Sequence, residues 1–168
     1  MSDLTFRNAT ERDLPRIVNI YNSTISSRMV TADTEPKTVD SRIPWFKKHN
    51  ASNRPLWIVE SPKGECLGWV SFEDFYGRPA YHHTAEISIY LSNDFRGKGY
   101  GRTILNACLD RAPSLGIKIL LGFIFSHNKA SIGLFERLNF ERWGTLPDVA
   151  SLDGIERTLL IYGKRVSG

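Results

Sequence analysis

The sequence predicts an α/β protein with one mixed sheet and helices on both of its faces. Three observations predict this. Strand-like alternation and helix-like stripes succeed one another in the order β-α-α-β-β-β-α-β-α-β-β, with no internal repeat and no linker. The run Ile117–Phe125 is almost continuously apolar, the mark of a strand covered on both faces. A basic, glycine-rich turn joins an alternating strand to a helix at residues 91–102. At 168 residues the chain fits a single domain, 1–168, large enough to bury a core without disulfides or metal.

Leu4–Arg7 alternates and reads as the first strand. Thr10 followed by Asp13 resembles a helix-start capping arrangement, and Leu14, Ile17, Val18 and Tyr21 recur behind it at helical spacing, to about Ser23. Residues 29–36 have no clear period, and Glu35 reads there as a loop residue. Val39, Ile43 and Phe46 suggest a second helix to about Asn50, although Pro44 conflicts with a helix interior unless it lies in the first turn. Pro55–Glu60 and Cys66–Phe72 are strands joined by the turn Ser61–Glu65, with Gly68 marking a bulge or a close approach of backbones. Glu73–His82 is an aromatic-rich loop.

Thr84–Leu91 is the fourth strand, apolar at Ile87, Ile89 and Leu91, with Glu86 and Ser88 on the other face. A helix beginning near Gly99 carries the stripe Ile104, Leu105, Cys108, Leu109 and Ala112. After the strand Ile117–Phe125, His127–Ser131 opens another helix bearing Leu134, Phe135 and Leu138. Asn139 is expected to reverse the chain in left-handed geometry. Arg142–Thr145 and Arg157–Tyr162 read as closing strands separated by Pro147–Gly154.

Composition excludes several classes. The 22 basic and 18 acidic residues leave a charge of only +4 with no basic run, which argues against a nucleic-acid partner. No apolar run reaches the length of a membrane span and no secretory leader is legible, so a cytoplasmic protein is expected. Cys66 and Cys108 fall in strand and helix patterns, and their spacing does not resemble a zinc site; no metal is expected.

The stretch Leu91-Ser-Asn-Asp-Phe-Arg-Gly-Lys-Gly-Tyr-Gly-Arg102 organises the rest. Its glycines let the backbone turn sharply and expose main-chain N–H groups, and the following helix points its first unpaired N–H groups at the same place. Phosphate fits such a site. The spacing is neither a Walker A loop nor a dinucleotide fingerprint. A basic surface turn that merely caps a helix is the competing reading of these residues.

Arg-x-x-Gly-x-Gly between the fourth strand and the third helix resembles the pyrophosphate loop of the GNAT (Gcn5-related) N-acetyltransferases, and the element order resembles the GNAT fold over essentially the whole chain. Thr34-Glu35-Pro36, Tyr76–Tyr81, Thr84–Tyr90, and Asn128–Ser131 with Phe135-Glu136 and Phe140 resemble the phosphinothricin N-acetyltransferase branch. The resemblance implies acetyl-CoA as co-substrate and the primary amine of a small amino-acid-like compound as acceptor, with direct attack in a ternary complex. It also implies a homodimer. A protein or peptide N-terminal acetyltransferase and a non-catalytic acyl-CoA sensor are the alternatives.

The same resemblance assigns roles. The turn Arg96, Gly97, Lys98, Gly99, Gly101 and Arg102 would take the pyrophosphate, the main chain of Ile89 and Leu91 the pantetheine arm, and Asn128 and Ser131 its other side. Asn128 also reads as a plain helix cap. Glu86 matches the branch's general base; a pairing with His83 is the structural alternative. Glu35, Phe75, Tyr76, Arg78, Tyr81 and His82 would form the acceptor site, Glu35 reading the ammonium and Arg78 the anionic end. Arg78 also reads as a solvated loop residue. Departures are plain. One subset of the branch has arginine where Tyr76 and His82 stand, and the usual C-terminal Gly-Arg-Trp is Gly154-Ile155-Glu156 here. Phe135 replaces a tyrosine common in the wider family.

Overall fold

The computed structural model describes residues 3–167. Along the chain run β1 (Thr5–Asn8), α1 (Leu14–Ile25), α2 (Val39–Lys47), β2 (Leu56–Glu60), β3 (Cys66–Asp74), β4 (Thr84–Leu91), α3 (Tyr100–Arg111), β5 (Ile119–Phe125), α4 (Lys129–Arg137), β6 (Glu141–Leu152) and β7 (Ile155–Arg165). The strands form one sheet in the order β1-β2-β3-β4-β5-β7-β6. Every neighbouring pair is antiparallel except β4 and β5, which are parallel.

Alternation along the strands makes two cores. Trp57, Val59, Val70, Phe72, Ala85 and Ile87 pack beneath α3 and α4 with Ile104, Leu105, Cys108 and Phe135. Leu56, Ile58 and Trp69 point the other way, onto Ile17, Ile20, Tyr21 and Ile25 of α1, with Trp45 and Phe46 of α2 beside them. Glu86 lies between Ala85 and Ile87, so period two turns it toward α1 and α2. At the other end of the sheet Arg7 locks β1 to the start of α1. Its guanidinium donates to both Asp13 carboxylate oxygens at 2.9 Å and to Glu60 at 3.0 Å. Those bonds hold Asp13 below the usual carboxylate range, with burial working against them.

Three elements differ from expectation. α2 keeps Pro44 in its interior, because Thr38 starts the helix by accepting from the Ser41 N–H at 3.1 Å. α2 has no fully buried residue, so the carbonyl that Pro44 cannot serve is left near water. β3 runs two residues beyond Phe72, which pairs Glu73 with Glu86 and Asp74 with Ala85. The segment Pro147–Gly154 is no open loop. β6 and β7 continue to a two-residue turn, Asp153-Gly154, whose φ angles of 53° and 77° are those a type I′ hairpin needs. Pro147 sits where the register slips between Leu146 and Ala150, on an edge strand that tolerates a missing N–H.

Candidate active site

β4 and β5 pair only over Thr84–Glu86 with Ile119–Leu121. Beyond that register they part, and a cleft of 740 Å³ opens between Ile87–Leu91 and Gly122–Phe125. Its floor includes Phe135, which stacks so closely on Gly122 that a Cβ there would lie 2.5 Å from the ring. One end of the cleft is the glycine turn. Gly99 caps α3 in left-handed geometry at φ 86° and offers no side-chain partner to the helix's first N–H groups. No acidic residue stands in that first turn. An anion is favoured there by the bare N–H groups and the helix dipole together.

The cations at this turn are differently placed. Arg96 folds back, donating to the Leu91 carbonyl and to Ser23 on α1, both at 2.9 Å. It braces the turn against α1, while Arg102 lines the cleft and the Lys98 ammonium lies over the Phe95 ring at 6.0 Å. Arg96 takes one lone pair of the Leu91 carbonyl, and both Ile89 and Leu91 line the cleft. Asn128 lines it too, and caps α4 by accepting from the Ser131 N–H at 3.2 Å. Its amide nitrogen donates to the Met29 carbonyl at 3.2 Å, tying α4 to the segment after α1. Asn128 is thus a helix cap whose side chain also lies at the cleft.

Glu86 is half-buried beside this cleft. Burial first, then the negative charge of Glu73, pushes its carboxyl up to about 7 from 4.5. His83 does not neutralise it, since that ring donates through Nδ1 to the Gly116 carbonyl at 2.9 Å. On the same face stand groups that the sequence did not single out. Ser71 is fully buried and bonds His49 Nε2 at 2.7 Å. Tyr21 bonds Thr31 at 2.6 Å and also Asp33, and Arg42 lies over the Trp45 ring at 4.2 Å. Period two along Trp69, Ser71 and Glu73 was the signal that could have placed these residues opposite Glu86.

The expected acceptor residues do not all come together. Phe75, Tyr76 and Tyr81 form an aromatic cluster, with centroids 4.3 Å apart for Phe75–Tyr76 and 5.5 Å for Phe75–Tyr81. Tyr76 is 78% exposed. Arg78 starts the short 3-10 turn Pro79–Tyr81 on that loop and is exposed. His82 lines a separate cavity of 290 Å³ with His83, Arg54 and Asp74. Glu35 is exposed near Arg28, on the segment that follows α1. Among the described residues no group of three or more His, Cys, Asp or Glu is placed to hold a metal ion.

A family model described as the acetyltransferase (GNAT) domain matches residues 3–141. The chain belongs to the GNAT acetyltransferase family. It is 52% identical over 164 residues to "Putative phosphinothricin acetyltransferase YwnH" of Bacillus subtilis, covering 98% of this chain and 100% of that one. It is 34% identical over 150 residues to an L-methionine sulfoximine/L-methionine sulfone acetyltransferase of Pseudomonas aeruginosa, covering 89% and 87%. The crystal structure of a GNAT phosphinothricin acetyltransferase from Sinorhizobium meliloti with acetyl-CoA superposes with a TM-score of 0.89 at 26% identity, covering 98% of this chain and 89% of that one. As a GNAT N-acetyltransferase this chain uses acetyl-CoA, and a cleft with a bare helix N-terminus at its end suits a long molecule carrying phosphates.

Proposed function

We propose that this GNAT enzyme acetylates the primary amine of a small amino-acid-like compound, with Glu86 as general base and the 740 Å³ cleft as the acetyl-CoA site. The observation that carries it is the position of Glu86. It is a half-buried carboxyl poised at about 7, on the strand whose departure from its neighbour opens the cleft. A base works best with a pKa near the working pH, and an ammonium must lose a proton before it can attack. Acetyl-CoA supplies a thioester whose C–S bond breaks as the C–N bond forms. A free thiol ionises at roughly 8.5, so the sulfur leaves without a dedicated acid, and Phe135 offers none.

The remaining roles follow the family resemblance. N–H groups at Gly99, Gly101 and Arg102 hold the pyrophosphate, with Gly97 shaping the turn and Lys98 adding charge. Arg96 contributes by bracing the turn. Ile89, Leu91, Asn128 and Ser131 guide the pantetheine arm. Glu35 reads the acceptor's ammonium and Arg78 its anionic end, with Phe75, Tyr76, Tyr81 and His82 at the rim. The enzyme works as one domain, in the cytoplasm, as a homodimer without a metal. It has neither nucleic acid nor membrane as partner; no helix among the described residues is long and apolar enough to cross a membrane. The relatives that carry acetyltransferase names for phosphinothricin and methionine sulfoximine support the substrate class.

An amine screen tests the reading. Thiol release from acetyl-CoA is followed with amino acids, their sulfoximine and phosphinic analogues, polyamines and short peptides. Turnover of the amino-acid-like compounds is expected, with phosphinothricin poor or inactive because Tyr76 and His82 are not arginine. Acetylation of peptides or polyamines alone would overturn the substrate class.

A further inference from the structure

The segment between α1 and α2 has no regular structure, yet it is fastened from three sides. Met29 and Val30 of this strap line the cleft, and Glu35 lies further along it. Two fastenings come from the residues that open α4. The Arg28 carbonyl, which can only accept, lies 2.7 Å from His127 Nε2, so that nitrogen carries the proton and donates. Nδ1 of the same ring is buried with no partner among the described residues, so the bond to Arg28 is the one this ring makes. The next carbonyl, that of Met29, accepts from Asn128 at 3.2 Å. The third fastening is the Arg28 side chain. Its Nε and one terminal nitrogen donate to the two Asp153 carboxylate oxygens at 2.9 and 3.2 Å, the paired geometry in which a guanidinium holds a carboxylate. Its other terminal nitrogen donates to the Ile25 carbonyl at the end of α1 at 3.2 Å. The same nitrogen donates to the Thr34 carbonyl at 3.1 Å, across the strap and next to Glu35. Arg28 itself stands at φ 57°, left-handed geometry that a bulky side chain adopts rarely and only where its surroundings impose it. Beyond it Thr31 bonds Tyr21, and Lys37 exchanges two main-chain bonds with the Asn22 side chain on α1.

We propose that Arg28 is a positioning residue for the acceptor amine: latched by Asp153 and His127, it sets the strap so that Met29, Val30 and Glu35 are presented to the acceptor at the cleft. This rests on the reading of Glu35 as the group that meets the acceptor's ammonium, and deepens it. Neither Arg28 nor Asp153 lines the cleft, and most of the guanidinium's N–H donors are already committed to Asp153, Ile25 and Thr34. Arg28 therefore acts through the strap and not by touching a substrate. It acts on the acceptor and not on acetyl-CoA, because the glycine turn has its own brace, from Arg96 to Ser23. The latch also gives the β6–β7 turn a task, since Asp153 reaches the acceptor only through Arg28.

The test reads amine KM, kcat and acetyl-CoA affinity separately, with the best amine of the screen. Asparagine accepts left-handed geometry, so Arg28→Asn removes the guanidinium and keeps the backbone. Asn-Gly is a preferred type I′ pair, so Asp153→Asn removes the carboxylate and keeps the turn. Arg28→Asn is expected to raise the amine KM roughly tenfold, with kcat and acetyl-CoA affinity by calorimetry unchanged. Asp153→Asn is expected to raise it about two- to fivefold, as befits an exposed ion pair. In the double variant the two effects are expected not to multiply, because both act through one latch. His127→Phe is expected to raise the amine KM too, while His127→Gln, whose amide nitrogen can stand in for Nε2, stays near wild type. Hydrogen–deuterium exchange without substrate needs no activity: Arg28→Asn is expected to speed exchange over residues 29–35 and leave the sheet as it was. If Arg28→Asn leaves amine KM and exchange unmoved, or weakens acetyl-CoA binding as much as it raises amine KM, the latch is wrong. Glu35→Gln separates the reading beneath it. If it leaves the amine KM unmoved while Arg28→Asn raises it, Glu35 falls as the ammonium reader and the strap acts through Met29 and Val30. If Glu35→Gln alone raises the amine KM, Arg28 falls as the positioning residue and Glu35 stands. Arg28→Gly, freer still in left-handed geometry, replaces Arg28→Asn should the latter lose its fold.

Discussion

A carboxyl half withdrawn from water and facing another carboxyl gives up its proton only near neutrality, and that combination is why Glu86 is proposed as the base. Alternation within β4, with Ile87 and Ile89 on the buried face, puts Glu86 on the other, and its role as base comes from the family resemblance. His49, Ser71 and Glu73 were not found. Ser71 and Glu73 share a period-two face with Trp69, but their register against β4 and the loop contact of His49 leave no trace in the sequence. Two residue-scale outcomes follow. Gly97 has φ 70° with open space where a Cβ would go, and aspartate tolerates left-handed geometry. Gly97→Asp is therefore expected to fold normally and to weaken acetyl-CoA binding by roughly tenfold or more through charge repulsion at the turn. Calorimetry checks it, and unchanged affinity would remove the pyrophosphate from this turn. Arg78→Ala is expected to raise KM for a carboxylate-bearing acceptor well above that for its decarboxylated amine, since a guanidinium bonds both carboxylate oxygens. Equal effects on the two would return Arg78 to the solvent.

Strands were the most legible elements. β4 occupies Thr84–Leu91 as its alternation requires, and Gly68 proves to be a close approach as well as a neighbour of a bulge. A Cβ on Gly68 would lie 2.1 Å from the Tyr90 carbonyl oxygen on β4. Since backbone is the obstacle, Gly68→Ala is expected to force β3 from β4 at a cost of about 1–3 kcal/mol. Thermal unfolding would register it, and an unchanged melting temperature would mean that the strands can separate freely. What the sequence obscured was continuity. Pro147 hid the extension of β6, although Asp153-Gly154 carries the type I′ signature, and Pro44 obscured α2, whose start is set by Thr38. In both places the proline sits where water or an edge makes its missing N–H cheap, a fact of tertiary placement.

For the molecule as a whole, a carboxyl raised to about 7 has a cost in stability. The folded state holds the Glu86 proton more tightly than the unfolded chain, whose carboxyl titrates near 4.5. Its contribution is therefore complete below about pH 4.5 and is lost as pH rises through about 7. Glu86→Gln, uncharged throughout, is expected to melt above wild type at pH 8, with the gap closing as pH falls below the unfolded carboxyl's value. A constant gap across that range would mean that Glu86 ionises as it does in water. The open seam between β4 and β5 ties this carboxyl to the cleft, so the most direct measurement is turnover by Glu86→Gln with acetyl-CoA and the best amine of the screen. The expected result is a fall of roughly 10²–10⁴-fold with acetyl-CoA affinity unchanged and the acidic limb of the pH profile flattened. Near-normal turnover with the acidic limb intact would contradict the assignment of Glu86 as the base.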